Sequence, residues 1–167
     1  MNSLFVDECK QRPYLLVGYL VANHHHQKMR KQLRGFLLPG QRSLHFKAEN
    51  RRRKRTILRF LLKTKCQLIV VKCQSRTDGK ARYCSLGSLL SSKQSATFKN
   101  LTFELDETVR LKDHHFLKQQ QPDFAWDHRK RHEEPLLWVA DAVAWCVNRG
   151  GEWEKLVRPL IVETIDC

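Results

Sequence analysis

The run Leu136-Leu137-Trp138-Val139-Ala140-Asp141-Ala142-Val143-Ala144-Trp145 is apolar on every side but for one aspartate. A helix that is hydrophobic all round is buried, so this run predicts a helix inside the protein. Its carboxylate must then be paired, protonated or bound to a cation, because burying it alone costs several kcal/mol. Near the other end of the chain, Leu4-Phe5-Val6-Asp7-Glu8 reads as an apolar strand that delivers carboxylates at its end. Two such acids in a chain of net charge +14 predict a metal-centred site that faces a polyanion.

The length of 167 residues fits one domain over residues 1–167, large enough to bury a core. Lys and Arg number 31 against 17 Asp and Glu, a balance whose usual partner is nucleic acid or an anionic surface. No apolar run approaches the ~20 residues that span a bilayer. The N-terminus lacks a signal peptide's basic-then-apolar order, since Asp7 and Glu8 interrupt it. The expectation is a cytoplasmic protein without a membrane partner. Cys9, Cys66, Cys73, Cys84, Cys146 and Cys167 contain no C-x-x-C pair. Their scatter argues against a structural zinc site and for free thiols.

Periodicity supplies the frame. Strands are expected at Leu4–Asp7 and Tyr14–Val21, joined by a linker short enough for an antiparallel hairpin. Asn23 is placed to cap a helix that runs to about Arg34, and Gly35 with Pro39-Gly40 stops it. A short strand follows at Leu44–Lys47. From Glu49 to Lys65 the pattern is amphipathic, with Ile57, Leu58, Leu61 and Leu62 opposite Arg52, Arg55, Arg59 and Lys63. Leu68-Ile69-Val70-Val71 fits a central strand covered on both faces.

A helix over about Ala81–Leu90 would turn Tyr83, Leu86 and Leu90 inward, and a strand at Leu101–Asp106 would place Glu104 and Asp106 on one face. Between Glu107 and His132 the sequence supports a helix around Val109–Lys118 and then a long loop. The last long helix opens near Pro135 and ends at Gly150-Gly151, before a short helix over Glu152–Val157. Together these elements predict an α/β fold with a mixed sheet of about five strands flanked by helices.

Two-metal phosphodiester cleavage needs carboxylates that converge within a few ångströms, and Mg²⁺ accepts such hard oxygen ligands together with waters. Asp7 and Asp141 are the natural primary ligands. Glu104 and Asp106 could reach the same sheet end, and Glu8 and Glu49 are further candidates. Each acid also has a structural reading. Asp7 and Glu8 could close a hairpin, Asp141 could be satisfied by Arg or backbone, Glu104 and Asp106 could line a solvated strand face, and Glu49 could serve a helix dipole.

The segments Phe5-Val6-Asp7-Glu8 and Leu136 to Trp145 resemble the end motifs of an uncharacterised ribonuclease H-like family, known as domain-of-unknown-function family 3800. Members typically begin with a strand ending in Asp-Glu-Ser-Gly and finish with a Leu-Gln-x-Ala-Asp helix. Leu44-His45-Phe46 is similar to the family's short strand bearing His, and Leu105-Asp106 to its late strand ending in Asp. The resemblance covers essentially the whole chain in order. It implies a ribonuclease H-like sheet with Mg²⁺ or Mn²⁺ held by Asp7, Asp106 and Asp141, and with Glu8 and Glu104 in support. Cys9-Lys10 stands where the family has Ser-Gly. Trp138 stands where it has Gln, which bears on what contacts Asp141.

Arg51-Arg52-Arg53-Lys54-Arg55 is the densest charge run. With Arg59 and Lys63 it reads as a phosphate track or as a solvated helix face. Arg129-Lys130-Arg131, near Phe124 and Trp126, offers a second patch with aromatics for stacking. His45 is a candidate proton shuttle or substrate contact, whereas His24-His25-His26 reads as a surface run. The function these features favour is a metal-dependent nuclease or related phosphoryl-transfer enzyme. A non-catalytic nucleic-acid-binding or protein-interaction module on the same fold is the alternative.

Overall fold

The computed structural model describes residues 1–167, apart from the side chain of residue 95. Six strands form one sheet: β1 (Asn2–Cys9), β2 (Tyr14–Ala22), β3 (Gln67–Cys73), β4 (Phe98–Glu104), β5 (Ala125–Arg129) and β6 (Ile161–Asp166), in the order β5-β4-β1-β2-β3-β6. The pairs β1–β2 and β2–β3 are antiparallel. The pairs β1–β4, β4–β5 and β3–β6 are parallel. The helices are α1 (His26–Arg34), α2 (Arg51–Lys63), α3 (Asp78–Leu90), α4 (Glu107–Gln120), α5 (Leu137–Arg149) and α6 (Gly151–Val157).

The central strands are buried on both faces, so they read as continuous apolar runs. Strand alternation then sorts their side chains into two cores. Phe5, Val17, Tyr19, Leu68 and Val70 pack with α5 and the inner faces of α1, α2 and α6. Leu4, Val6, Leu16, Ile69, Val71, Leu101 and Phe103 pack with α3 and α4. The all-apolar helix α5 lies against β1 and β2, and its residues Leu137 to Ala140 are all at most 3% exposed.

The sheet has six strands rather than about five. The additional pairing comes from the edges, where β5 and β6 show mixed burial and little apolar pattern. Leu44–Lys47 is not a strand: Leu44 and Phe46 are buried around an exposed His45, and Phe46–Ala48 forms a 3-10 turn. Asn23 does not cap α1; its side chain accepts a hydrogen bond from Ser3 Oγ at 2.8 Å. In α3 the buried positions are Ala81, Arg82, Ser85, Leu86 and Leu89, one step out of phase with the expected Tyr83 and Leu90. The helix expected around Val109–Lys118 is α4, and the loop expected after it contains the strand β5. Among the described residues, no helix is long and apolar enough to cross a membrane.

Candidate functional site

Asp7 stands near the C-terminal end of β1. Val6 is in register with Phe103 of the parallel β4, so Asp7 and Glu104, each one residue further on, end adjacent strands. Phe5 belongs to the core beneath α5, and a period of two puts Asp7 on that face. Phe103 belongs to the opposite core, which turns Glu104 toward Asp7's side. Helix α5 crosses this face and brings Asp141.

The three carboxylates meet on one cation, the guanidinium of Arg131. Its Nη2 lies 2.8 Å from Glu104 Oε2 and 3.6 Å from Asp7 Oδ2, and its Nη1 lies 2.9 Å from Asp141 Oδ2. Arg131 Nε also donates to Glu104 Oε1 at 3.0 Å. Asp141 Oδ2 accepts a second bond from the Phe46 N–H at 2.9 Å. Asp7 Oδ1 accepts from the Glu8 N–H at 2.8 Å, whereas Asp7 Oδ2 is buried with no hydrogen-bond partner. Burial, and then the charges of Glu104 and Asp141, push the Asp7 carboxyl well above the usual carboxylate range, against the pull of Arg131. Arg131 keeps its charge: burial opposes it, but Asp141, Glu104 and Asp7 together raise its pKa.

A cavity of about 210 Å³ opens on this cluster, lined by Asp7, Glu8, Lys10, Arg82, Glu104, Asp106 and Arg131 among others. Asp106 sits at its rim and faces elsewhere. The chain leaves the sheet after Glu104, and Asp106 caps α4, its Oδ1 accepting from the Thr108 N–H at 2.8 Å. Its Oδ2 pairs with Lys10 Nζ at 2.7 Å. Burial opposes ionisation, but these bonds from Lys10 and Thr108 prevail and bring Asp106 down to about 2.

Glu8 alternates to the other sheet face. There it pairs with Arg82 at 3.1 Å and with Lys10 at 3.7 Å, and it accepts a bond from the Tyr14 hydroxyl. Arg82 is held in turn by Asp113, both of whose oxygens accept from it at 2.8 Å. The ring of His128 lies 2.9 Å from Asp113. Asp113 is fully buried. Burial opposes its ionisation, yet the bonds from His128 and Arg82 hold it below the usual range.

The remaining candidates lie at varying distance from this cluster. His45 is exposed, while its neighbours reach the cluster: the Leu44 carbonyl accepts from Arg131 at 3.4 Å, and the Phe46 N–H binds Asp141. Glu49 is buried against Arg53 and Gln41. Arg51 and Arg55 pair with Glu152 of α6 and lie over the Trp153 ring. Arg52, Arg59 and Lys63 are exposed. Lys63 lines a different cavity with Asn2, Ala22 and Gln67, at the opposite end of the sheet from Asp7. Arg129 pairs with Asp127, and Lys130 is exposed.

In the sequence Arg131 stands out only as part of the basic patch Arg129-Lys130-Arg131, and Arg82 and Asp113 do not stand out at all. A helical spacing of 82, 85, 86 and 89 was the available signal for a buried Arg82. Nothing local distinguishes Arg131 from its basic neighbours.

No protein-family model matches the chain, and no curated protein matches it. Among solved structures, the ribonuclease HII chain in the PCNA:RNase HII complex from Archaeoglobus fulgidus is similar. Its TM-score is 0.62 at 15% sequence identity, over 95% of this chain and 77% of that one. The similarity is one of fold: this chain has a ribonuclease H-like fold.

Proposed function

We propose that this chain is a divalent-metal-dependent phosphodiester hydrolase acting on nucleic acid, built as one domain over residues 1–167 and akin to family 3800. The observation that carries the reading is the convergence of Asp7, Glu104 and Asp141 on one cationic group, with a buried Asp7 oxygen left without a hydrogen bond. The donor set suits Mg²⁺ or Mn²⁺, which take carboxylate oxygens and water. Asp7, Glu104 and Asp141 would hold the ion where Arg131 now supplies the positive charge. Asp106, tied to Lys10 and Thr108, would stay at the rim.

When bound, the ion supplies Lewis-acid activation of a phosphoryl oxygen and acidifies water. The side chains contribute the rest. Arg131, drawn out of the acids, would meet phosphate oxygens as a bidentate donor. Lys10, partly exposed beside the cavity, would do the same as a point charge. Arg82 fixes Glu8, so that the floor of the cavity stays in place. His45, exposed next to both backbone contacts of the cluster, would exchange a proton with the leaving oxygen.

Cleavage of labelled single-stranded RNA, DNA and an RNA–DNA hybrid with Mg²⁺ or Mn²⁺ tests the reading. Asp141→Asn should abolish divalent-dependent cleavage and keep the circular dichroism of the parent. Cleavage that persists would remove the metal role. A second reading rests on Arg131: as a permanent counter-cation it would leave a nucleic-acid-binding module without catalysis. Calorimetry with Mn²⁺ separates the two, since that module gives no metal-binding heat yet binds nucleic acid with a steep salt slope.

A further inference from the structure

Three cysteines distant in sequence meet at one corner of the sheet. Cys73 ends β3. Cys167 follows β6, which runs parallel to β3 with Lys72 opposite Asp166. The ladder continues one residue beyond that pair: the Cys167 N–H donates to the Lys72 carbonyl at 2.8 Å, and the Gln74 N–H to the Cys167 carbonyl at 3.4 Å. Backbone hydrogen bonds therefore fix Cys73 and Cys167 side by side. Cys84 arrives on α3, whose Ala81, Leu86 and Leu89 pack on the sheet face that carries Cys73. The three sulfur atoms lie within 4.8 Å of one another, and all three thiols are free. The scatter of cysteines along the sequence therefore does not persist in space.

We propose that Cys73, Cys84 and Cys167 form a three-thiolate site for a thiophilic d¹⁰ cation, Zn²⁺ or Cu⁺. Soft sulfur ligands select these ions over Mg²⁺ and Mn²⁺, so this site and the acid cluster take different metals. Zn–S bonds of about 2.3 Å in tetrahedral geometry put sulfurs about 3.8 Å apart. Closing from 4.8 Å requires movements of about 1 Å or less, within the reach of side-chain torsions.

The burial of the ligands is graded. Cys73 is buried, Cys167 is half-buried and Cys84 is exposed, which gives the ion an entry path and leaves one side open to water. The Ser85 hydroxyl, 4.0 Å from Cys167 Sγ, supplies a partner behind the ligand. Each thiol that binds gives up its proton to solvent, three per ion. Because binding releases these protons, affinity rises with pH.

The test uses the full chain, reduced with a phosphine and freed of metal. Co²⁺, as a spectroscopic surrogate for Zn²⁺, should give a near-ultraviolet thiolate charge-transfer band that saturates at one equivalent and is bleached by Zn²⁺. Cu⁺ under nitrogen, in competition with a chromogenic chelator, distinguishes the two cations by their affinities. Cys84→Ser, at an exposed position, should weaken binding about tenfold or more and reduce the band. Cys9→Ser, Cys146→Ser and Asp141→Asn should leave it unchanged.

Absence of a thiolate band with Co²⁺ together with no retention of Cu⁺ overturns the proposal. So does a band that survives both Cys73→Ser and Cys84→Ser. A chain that binds neither ion when reduced, and only forms a disulfide among these thiols in air, also overturns it.

Discussion

The indole N–H of Trp138 donates a 2.8 Å hydrogen bond to the carbonyl oxygen of Arg131. Trp138 is 3% exposed and lies one helical turn before Asp141. The helix that presents the carboxylate therefore also pins the backbone of the residue that neutralises it. A Gln at position 138 would hold that carbonyl less rigidly, because the indole is a rigid ring locked by burial. The tryptophan at this position and the seating of Arg131 are two aspects of one arrangement.

Removing the guanidinium should expose the repulsion it masks. Arg131→Gln leaves Asp7, Glu104 and Asp141 without a counter-charge, and breaking a pair of this kind costs on the order of 3 kcal/mol. Chemical denaturation should show that loss. Millimolar Mn²⁺ should restore much of it in the variant and change the parent less, because binding stabilises the folded state by mass action. Equal effects of Mn²⁺ on the two proteins would mean that the acids do not bind the ion.

The acids at the site predict opposite pH dependences. The folded-state pKa of Asp7 is raised above 3.8, so the folded chain holds a proton that the unfolded chain has released, and this contribution is lost as pH rises from about 4. Asp106 is lowered to about 2, so its contribution is full above about 4 and is lost as pH falls toward 2. Unfolding of Asp7→Asn and Asp106→Asn across pH 2–8 should show it. The first should gain on the parent with rising pH. The second should lose its deficit at the acid end.

Asp106 and Glu104 separate capping from chemistry. Asp106→Asn preserves an N-cap side chain, and Asp106→Ala should cost about 1 kcal/mol through α4. Neither should abolish cleavage. Glu104→Gln should abolish it with little effect on the start of α4. Cleavage rates set beside denaturation midpoints decide between them, and the reverse ranking would return the ligand role to Asp106.

Much of this geometry was legible where the sequence carries a strong period. Leu4–Asp7 and Leu136–Trp145 announce a buried strand and a buried helix, and both acids meet at one cation. Asp106 was misplaced relative to Glu104 because alternation holds only while the strand continues, and the chain turns into α4 after Glu104. β5 and β6 were not legible because edge strands carry one weakly buried face. The thiol corner was invisible because its contacts come from parallel register, which no local pattern encodes.

The basic helix α2 should read nucleic acid unevenly along its length. Its N-terminal end adjoins the acid site, since Asn50 caps it shortly after the Phe46 N–H that binds Asp141. Lys63 lies about 18 Å away along the axis, at the far end of the sheet. Arg51 and Arg55 already share Glu152, so a phosphate must compete for them, whereas Arg52 is exposed and has no ion pair among the described residues. Each phosphate contact contributes about 0.9 to the slope of log affinity against log salt. Arg52→Ala and Arg59→Ala should each lower the slope by about that amount, and Arg51→Ala by less. Cleavage should fall most for Arg52→Ala and least for Lys63→Ala, because only the first would hold backbone beside the acids. Fluorescence anisotropy at several salt concentrations, run with the cleavage assay, checks both rankings. Equal slopes and equal rates across the four variants would make the helix a solvated face rather than a track.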